Sequence, residues 1–186
     1  MGGWQRWCIG YLVAGSLLAG AVQAGDTVTL TVQGAVTATC ELSGPGGAVN
    51  LGDLSAPGSH SFNVTVNCNS PFAYAAVSAN SALTTSGGTI VLGQFDQSLP
   101  YWLTTRFSKN GGGSFGDGAI ASSLLTTARA APCLAASFDI SCPFATSGSD
   151  VAINQTGTLT VSWGSSTHPL WAGTYTDILT LTVRVL

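Results

Sequence analysis

Thr27-Val28-Thr29-Leu30-Thr31-Val32-Gln33-Gly34-Ala35-Val36-Thr37-Ala38-Thr39-Cys40-Glu41-Leu42 is the stretch that decides the fold class. From Val28 onward its even positions are apolar or small, while Thr fills most of the odd ones. A period of two places alternate side chains on opposite faces of a strand, and the Thr and Val content favours strand over helix. The run outlasts an ordinary strand of about five or six residues and passes through Gly34, so it reads as two consecutive strands divided there. The second, Val36 to Cys40, can be stapled to the domain through Cys40. The first, Thr27 to Gln33, lies outside every disulfide loop of an exported chain, free to pair at home as an edge strand or with another chain.

The same alternation recurs in Phe62, Val64, Val66 and Cys68, in Leu159, Val161 and Trp163, and in Leu179, Leu181, Val183 and Val185. Turn signals separate these runs: Ser43-Gly44-Pro45-Gly46-Gly47, Ala56-Pro57-Gly58, Gly87-Gly88, Asn110-Gly111-Gly112-Gly113 and Ser147-Gly148-Ser149. Many short strands in one chain of 186 residues predict a single all-β sandwich domain. One segment departs from the pattern. Ala119 to Ala131, rich in Ala, Ser and Leu, would permit a short helix before Pro132.

Ahead of the alternating run, residues 1–24 have the layout of a cleaved secretory signal. Arg6 supplies a positive start, Cys8 to Ala19 is mainly apolar or small, and Val22-Gln23-Ala24 fits the small-x-small cleavage rule. Cleavage is expected between Ala24 and Gly25. The apolar run is shorter than the roughly 20 residues of a membrane span and is interrupted by Gly10, Gly15 and Gly20. The expected organisation is a leader at 1–24, an N-terminal extension at 25–35 and a β-domain at 36–186. Export leaves Cys40, Cys68, Cys133 and Cys142, an even set in an oxidising compartment. Three pairings are possible, and we expect Cys40–Cys68 with Cys133–Cys142 because each pair is a sequence neighbour.

Composition narrows the function. Charged residues are only 7% of the chain and the formal net charge is -3, so no basic patch is available to neutralise phosphates and nucleic acid is not an expected partner. Disorder is excluded by the 45% hydrophobic content. A weakly charged Ser- and Thr-rich surface offers little repulsion between copies, which suits a subunit that associates.

Chemical motifs are few. Gly111-Gly112-Gly113-Ser114-Phe115-Gly116 contains both G-x-G-x-x-G and G-x-S-x-G, but neither a βαβ unit nor a strand-to-helix elbow surrounds it, and a glycine-rich hairpin loop explains both matches. A hydrolase built on Ser114 and His168 is accordingly not expected. The acidic residues are scattered, His60 and His168 read as solvated loop residues, and the cysteine spacings do not suit zinc. We expect no enzyme, metal or cofactor. Asn63-Val64-Thr65 and Asn154-Gln155-Thr156 are formal glycosylation sequons. Tyr101, Trp102 and Trp171 are either core aromatics or anchors of a sugar or surface site, the latter giving the main alternative, a monomeric exported carbohydrate- or surface-binding module.

Three stretches resemble bacterial chaperone–usher pilin subunits of the spore coat protein U type, which includes the archaic Csu-like adhesive pili. They are the alternating extension Thr27 to Cys40, the Leu51-Gly52 dipeptide before Ser61-Phe62-Asn63-Val64-Thr65-Val66-Asn67-Cys68, and Gly173-Thr174-Tyr175-Thr176-Asp177-Ile178-Leu179-Thr180-Leu181-Thr182-Val183. The resemblance implies an incomplete immunoglobulin-like β-sandwich whose missing strand comes first from a periplasmic pilus chaperone. At an outer-membrane usher the extension of another pilin subunit then replaces it, giving a homo- or hetero-polymer on the cell surface, as fimbriae that support adhesion or biofilm formation. Val28, Leu30 and Val32 are the side chains expected to fill the groove of the next subunit by β-strand addition, and a head-to-tail contact that does not close builds a filament.

The expected disulfides make a testable difference. Chain-entropy arithmetic assigns about 3.6 kcal/mol to the longer Cys40–Cys68 loop and about 2.7 kcal/mol to the Cys133–Cys142 loop. Chemical denaturation of the two Cys→Ser double variants should therefore show the larger loss for C40S/C68S; the reverse order would contradict the pairing.

Overall fold

A computed structural model of the chain describes residues 33–45, 47–86, 94–137 and 139–186. The leader at 1–24 and the proposed donor residues Val28, Leu30 and Val32 lie outside the described residues. The fold described below is that of the compact unit Val36–Leu186.

The described residues form an all-β fold with one short helix. In chain order the elements are β1 (Cys40–Ser43), β2 (Gly58–Cys68), β3 (Phe72–Ser78), β4 (Leu83–Thr84), β5 (Ser98–Leu99), β6 (Tyr101–Ser108), β7 (Ser114–Phe115), β8 (Ile120–Ala121), α1 (Thr127–Leu134), β9 (Ala152–Trp163) and β10 (Leu179–Val185). The main sheet runs β1-β2-β9-β6-β7, with β8 also pairing with β6. Every pairing between these strands is antiparallel. β10 pairs with β3 in a second sheet, and β4 with β5 in a third.

The period of two explains the main sheet. Val64, Val66 and Cys68 of β2, Leu159, Val161 and Trp163 of β9, and Tyr101, Leu103 and Phe107 of β6 are buried, while residues between them such as Asn63, Thr65 and Arg106 are exposed. β3 packs against this apolar face: the Tyr74 ring lies 4.9 Å from that of Phe107, and Phe72 meets Phe115 edge-on at 5.3 Å. Each such aromatic contributes about 1.5–3 kcal/mol on full burial. β3 itself does not alternate; six of its seven residues are buried. Both its faces are covered, so apolar and small residues follow one another. Its edge away from β10 is closed by other backbone and side-chain groups, with Ser147 N–H donating to Phe72 O (2.9 Å) and Ser78 N–H to Leu125 O (2.8 Å).

Two poles follow from the registers. Cys68 faces Ala152 across β2–β9 and Phe107 faces Gly157 across β6–β9. Phe72, which touches Phe115, faces Val185. These residues mark the disulfide pole. At the opposite pole Gly58 faces Trp163, which in turn faces Tyr101, and Leu179 faces Ser78.

Cys40 is bonded to Cys68 and Cys133 to Cys142. The first bridge joins directly opposed residues of β1 and β2; the second ties the buried Cys133 of α1 to the following loop.

Three local expectations are corrected. β1 occupies Cys40–Ser43 rather than Val36–Cys40, because β2 ends at Cys68 and only a single backbone bond, Asn69 N–H to Thr39 O (3.1 Å), extends the pairing further back. The helix begins at Thr127 and runs through Pro132 to Leu134. Its expected start is taken by β8, which pairs with β6, while the Thr126 hydroxyl caps it by accepting from Arg129 N–H (3.3 Å). Finally, His60 lies within β2 opposite Val161 and is not a loop residue.

Gly157 marks a close approach in the core. A Cβ built there would lie 2.5 Å from the Phe107 ring and 2.8 Å from Val64 Cγ2. Gly157→Ala should cost about 1–3 kcal/mol by forcing this contact apart, read as a lowered denaturation midpoint. An unchanged midpoint would contradict this packing.

Candidate functional site

Along the opening between the main sheet and β10 lies a groove of about 1240 Å³. This exceeds the roughly 300–1,000 Å³ of small-molecule pockets and matches the scale of a peptide segment. Phe62 and Val64 of β2 and Leu159 and Val161 of β9 form its floor, and Leu179 and Leu181 of β10 form one wall. The segment from Gly44 to Ser55 lines the other side, where Leu51 and Leu54 are half-buried against the core. The groove thus extends from the level of Leu42 and Val64 towards the Tyr101 pole.

The strand edge beside it is open. In an antiparallel ladder, directly opposed residues alternate between hydrogen-bonded and non-bonded pairs. Ala79 N–H donates to Ile178 O (3.0 Å) and Leu186 N–H to Pro71 O (2.9 Å), which fixes the parity across β3–β10. Thr180, Thr182 and Arg184 direct their backbone groups to β3; Leu179, Leu181, Val183 and Val185 direct theirs the other way. Among the described residues no strand pairs with that edge. The side chains of Leu179 and Leu181 line the groove while their N–H and C=O groups face outward from the ladder, so apolar surface and unpaired backbone coincide.

The C-terminal stretch that forms this wall is anchored by Asp177. Its carboxylate accepts hydrogen bonds from Tyr101 OH (2.7 Å), the Ser78 hydroxyl (2.5 Å), Asn80 N–H (3.0 Å) and Ile178 N–H (2.8 Å). Burial, reinforced by the Asp177 carboxylate and opposed by the Ser78 hydroxyl, pushes the Tyr101 phenol above its ordinary value. Upstream, Tyr175 OH donates to Asp96 O (2.7 Å) and Trp171 O (3.1 Å), and Thr84 and Thr176 exchange backbone bonds of 3.0 and 2.9 Å. The wall is thus held on both sides of Thr176 before β10 begins.

Two of the three stretches that carried the family resemblance meet at this groove: Leu51-Gly52 with Phe62 and Val64, and Gly173 through Leu181. The third, Thr27 to Cys40, is described only from Gln33 onward. Nothing in the one-dimensional pattern singled out Asp177 as an anchor, because its partners Ser78, Asn80 and Tyr101 come from distant positions.

The other candidates do not converge. Gly111, Gly112 and Gly113 lie in the β6–β7 hairpin turn, closed by Gly112 N–H to Lys109 O (3.1 Å), and Ser114 and Phe115 form β7 itself. Gly116 has φ +153°, and a Cβ there would meet Thr105 O at 2.0 Å, so the close backbone approach accounts for this glycine. Ser114 Oγ accepts from Arg106 Nε (3.0 Å), whereas His168 contacts Asp96 (3.2 Å); no hydrogen bond joins Ser114 to His168 among the described residues. The backbone N–H of His168 chiefly holds the Asp96 carboxyl below its ordinary value. Tyr101 is buried, Trp102 is exposed, and half-buried Trp171 meets Phe95 edge-on at 5.3 Å. Asn63 and Asn154 are both exposed residues of strands. Among the described residues no group of three or more His, Cys, Asp or Glu could hold a metal ion.

No protein-family model and no curated protein matches the chain.

The Tyr101–Asp177 bond carries a prediction. Tyr101→Phe should cost about 1.5–3 kcal/mol at neutral pH, the value of a hydrogen bond to a charged group. Because the folded-state phenol titrates above the unfolded value near 10, its stabilisation is complete below that pH and lost as pH rises through the folded value. Chemical denaturation from pH 8 to 11 should show a shallower alkaline decline for Tyr101→Phe than for the parent. Identical curves would remove Tyr101 from the anchor.

Proposed function

We propose that this chain is a structural subunit of a chaperone–usher adhesive pilus, shaft or minor, exported through the periplasm and assembled on the cell surface by donor-strand complementation. In this reading the domain is an immunoglobulin-like sandwich short of one strand. The groove above β2 and β9 receives Thr27–Gln33 of another copy, with Val28, Leu30 and Val32 seated on the apolar floor. A periplasmic chaperone fills the groove first, and the exchange takes place at the outer-membrane usher.

The observation that carries the proposal is the coincidence of the apolar groove with the unpaired edge of β10. An alternating strand satisfies both at once: its backbone pairs with Leu179 and Leu181, and every second side chain enters the groove. A small ligand would cover the apolar floor without supplying a ladder of donors and acceptors. The sequence contains an alternating segment of the required kind in Thr27–Gln33, and the sequence resemblance points to the same occupant. The low charge of the chain is compatible with close stacking of copies.

Deletion of Gly25 to Gln33 tests the reading. The shortened protein is expected to bind the pilus chaperone yet not polymerise, and Leu30→Asp should block joining in the same way by placing a carboxylate against the apolar floor. Electron microscopy and light scattering read the outcome. Normal fibres from Leu30→Asp, or a full-length protein that stays monomeric once released from its chaperone, would overturn the assignment.

A further inference from the structure

A chain that carries both an open groove and a strand suited to it can fill its own groove or that of a neighbour. Asn69, the first residue after β2, bears on this choice. Its backbone N–H donates to Thr39 O (3.1 Å), its Oδ1 accepts from Thr39 N–H (2.7 Å), and its Nδ2 donates to Thr37 O (3.0 Å). The first bond continues the β1–β2 ladder by one pair past the disulfide. The other two come from the side chain and act where β2 no longer provides a partner, since the chain turns through Ser70 and Pro71 into β3. Thr37 to Thr39 are exposed, and among the described residues their hydrogen bonds at the disulfide pole are these three.

We propose that Asn69 is a clamp that reserves the N-terminal extension for a second copy of this chain by denying it entry to its own groove. The inference rests on the donor-strand reading above. If the extension turned back to pair with the free edge of β1, opposed residues would share a constant sum of residue numbers. With Thr37 and Thr39 tied to Asn69, the tightest return is the two-residue turn Ala35-Val36, which would place Val32 opposite Thr39, Leu30 opposite Glu41 and Val28 opposite Ser43. Val28 then reaches only the mouth of the groove, and Leu30 and Val32 stay at the disulfide pole. The level of Phe62 on the floor lies four residues beyond Leu42 in the continued β1 register. Carrying Leu30 that far moves the centre of the turn onto Ala38, inside the segment the clamp keeps extended. A neighbour's groove imposes no such limit on register.

Two variants of the mature chain test this. Asn69→Ala removes both side-chain bonds. Inserting Gly-Ser-Gly-Ser-Gly after Ala35 leaves the clamp intact but supplies the five residues that self-insertion lacks. After release from the chaperone at one fixed concentration, both variants should show a raised monomer fraction, for Asn69→Ala on the order of tenfold, the scale of one to two lost hydrogen bonds. The monomers should melt independently of concentration and above the chain lacking Gly25–Gln33. In Asn69→Ala the Thr39 amide should also lose its hydrogen-exchange protection. Assembly equal to the parent by both variants would overturn the clamp, as would a Thr39 amide that is unprotected in the parent. If Asn69→Ala does not fold, the insertion variant decides alone. If the chain lacking Gly25–Gln33 assembles as well as the parent, the donor-strand reading has itself failed and the clamp falls with it.

Discussion

Backbone hydrogen bonding on the free side of β10 is the constraint on which the rest of this structure depends. A buried strand needs partners for its N–H and C=O groups, and a long open edge next to apolar surface invites pairing with another chain. On its closed side β10 meets β3 over its whole length. On the other side, Leu179 and Leu181 present backbone groups beside a groove floored by Phe62, Val64, Leu159 and Val161. Among the described residues no strand pairs with that edge, and the proposed function is the supply of a strand to it.

The rest of the fold keeps the opening in shape. Asp177 gathers Tyr101, Ser78 and Asn80 at one pole, so the wall is fixed just before β10 starts. At the other pole the Cys40–Cys68 bridge ties β1 to β2. Rigid anchors at both ends favour a groove formed before its occupant arrives, which reduces the ordering cost of binding. The location of Asn69 at the disulfide pole fits the same division in the proposed reading, in which one end of the domain fixes the departure of the extension and the length between the poles takes a donor strand.

Much of the fold was legible in the residues because β2, β9 and β10 each have one face in the core, and alternation records one-sided burial. β3 was not legible for the opposite reason: Phe72 to Ser78 is covered on both faces and shows no period. The bounds of β1 were misjudged because the alternation continues through Thr37 to Thr39, yet ladder pairing stops where β2 stops and a side chain takes over. The cysteine pairing followed from sequence proximity. The groove could not be read from the sequence, since it is formed by elements brought together only by the sheet order, and the same holds for the Asp177 anchor, whose partners are up to 99 residues away. His60 shows the limit of neighbouring turn signals: Pro57 and Gly58 suggested a loop, but β2 begins at Gly58 itself.

The central claim, that the edge of β10 is vacant in the subunit and occupied in the assembly, is tested most directly by residue-resolved hydrogen exchange on the mature chain as released monomer and as assembled fibre. The register requires an alternating result. Thr180 and Thr182, which bond to β3, should be protected in both states, while Leu179 and Leu181 should exchange rapidly in the monomer and slowly in the fibre. Protection of all four amides in the monomer, or rapid exchange of Leu179 and Leu181 that persists in the fibre, would contradict the account.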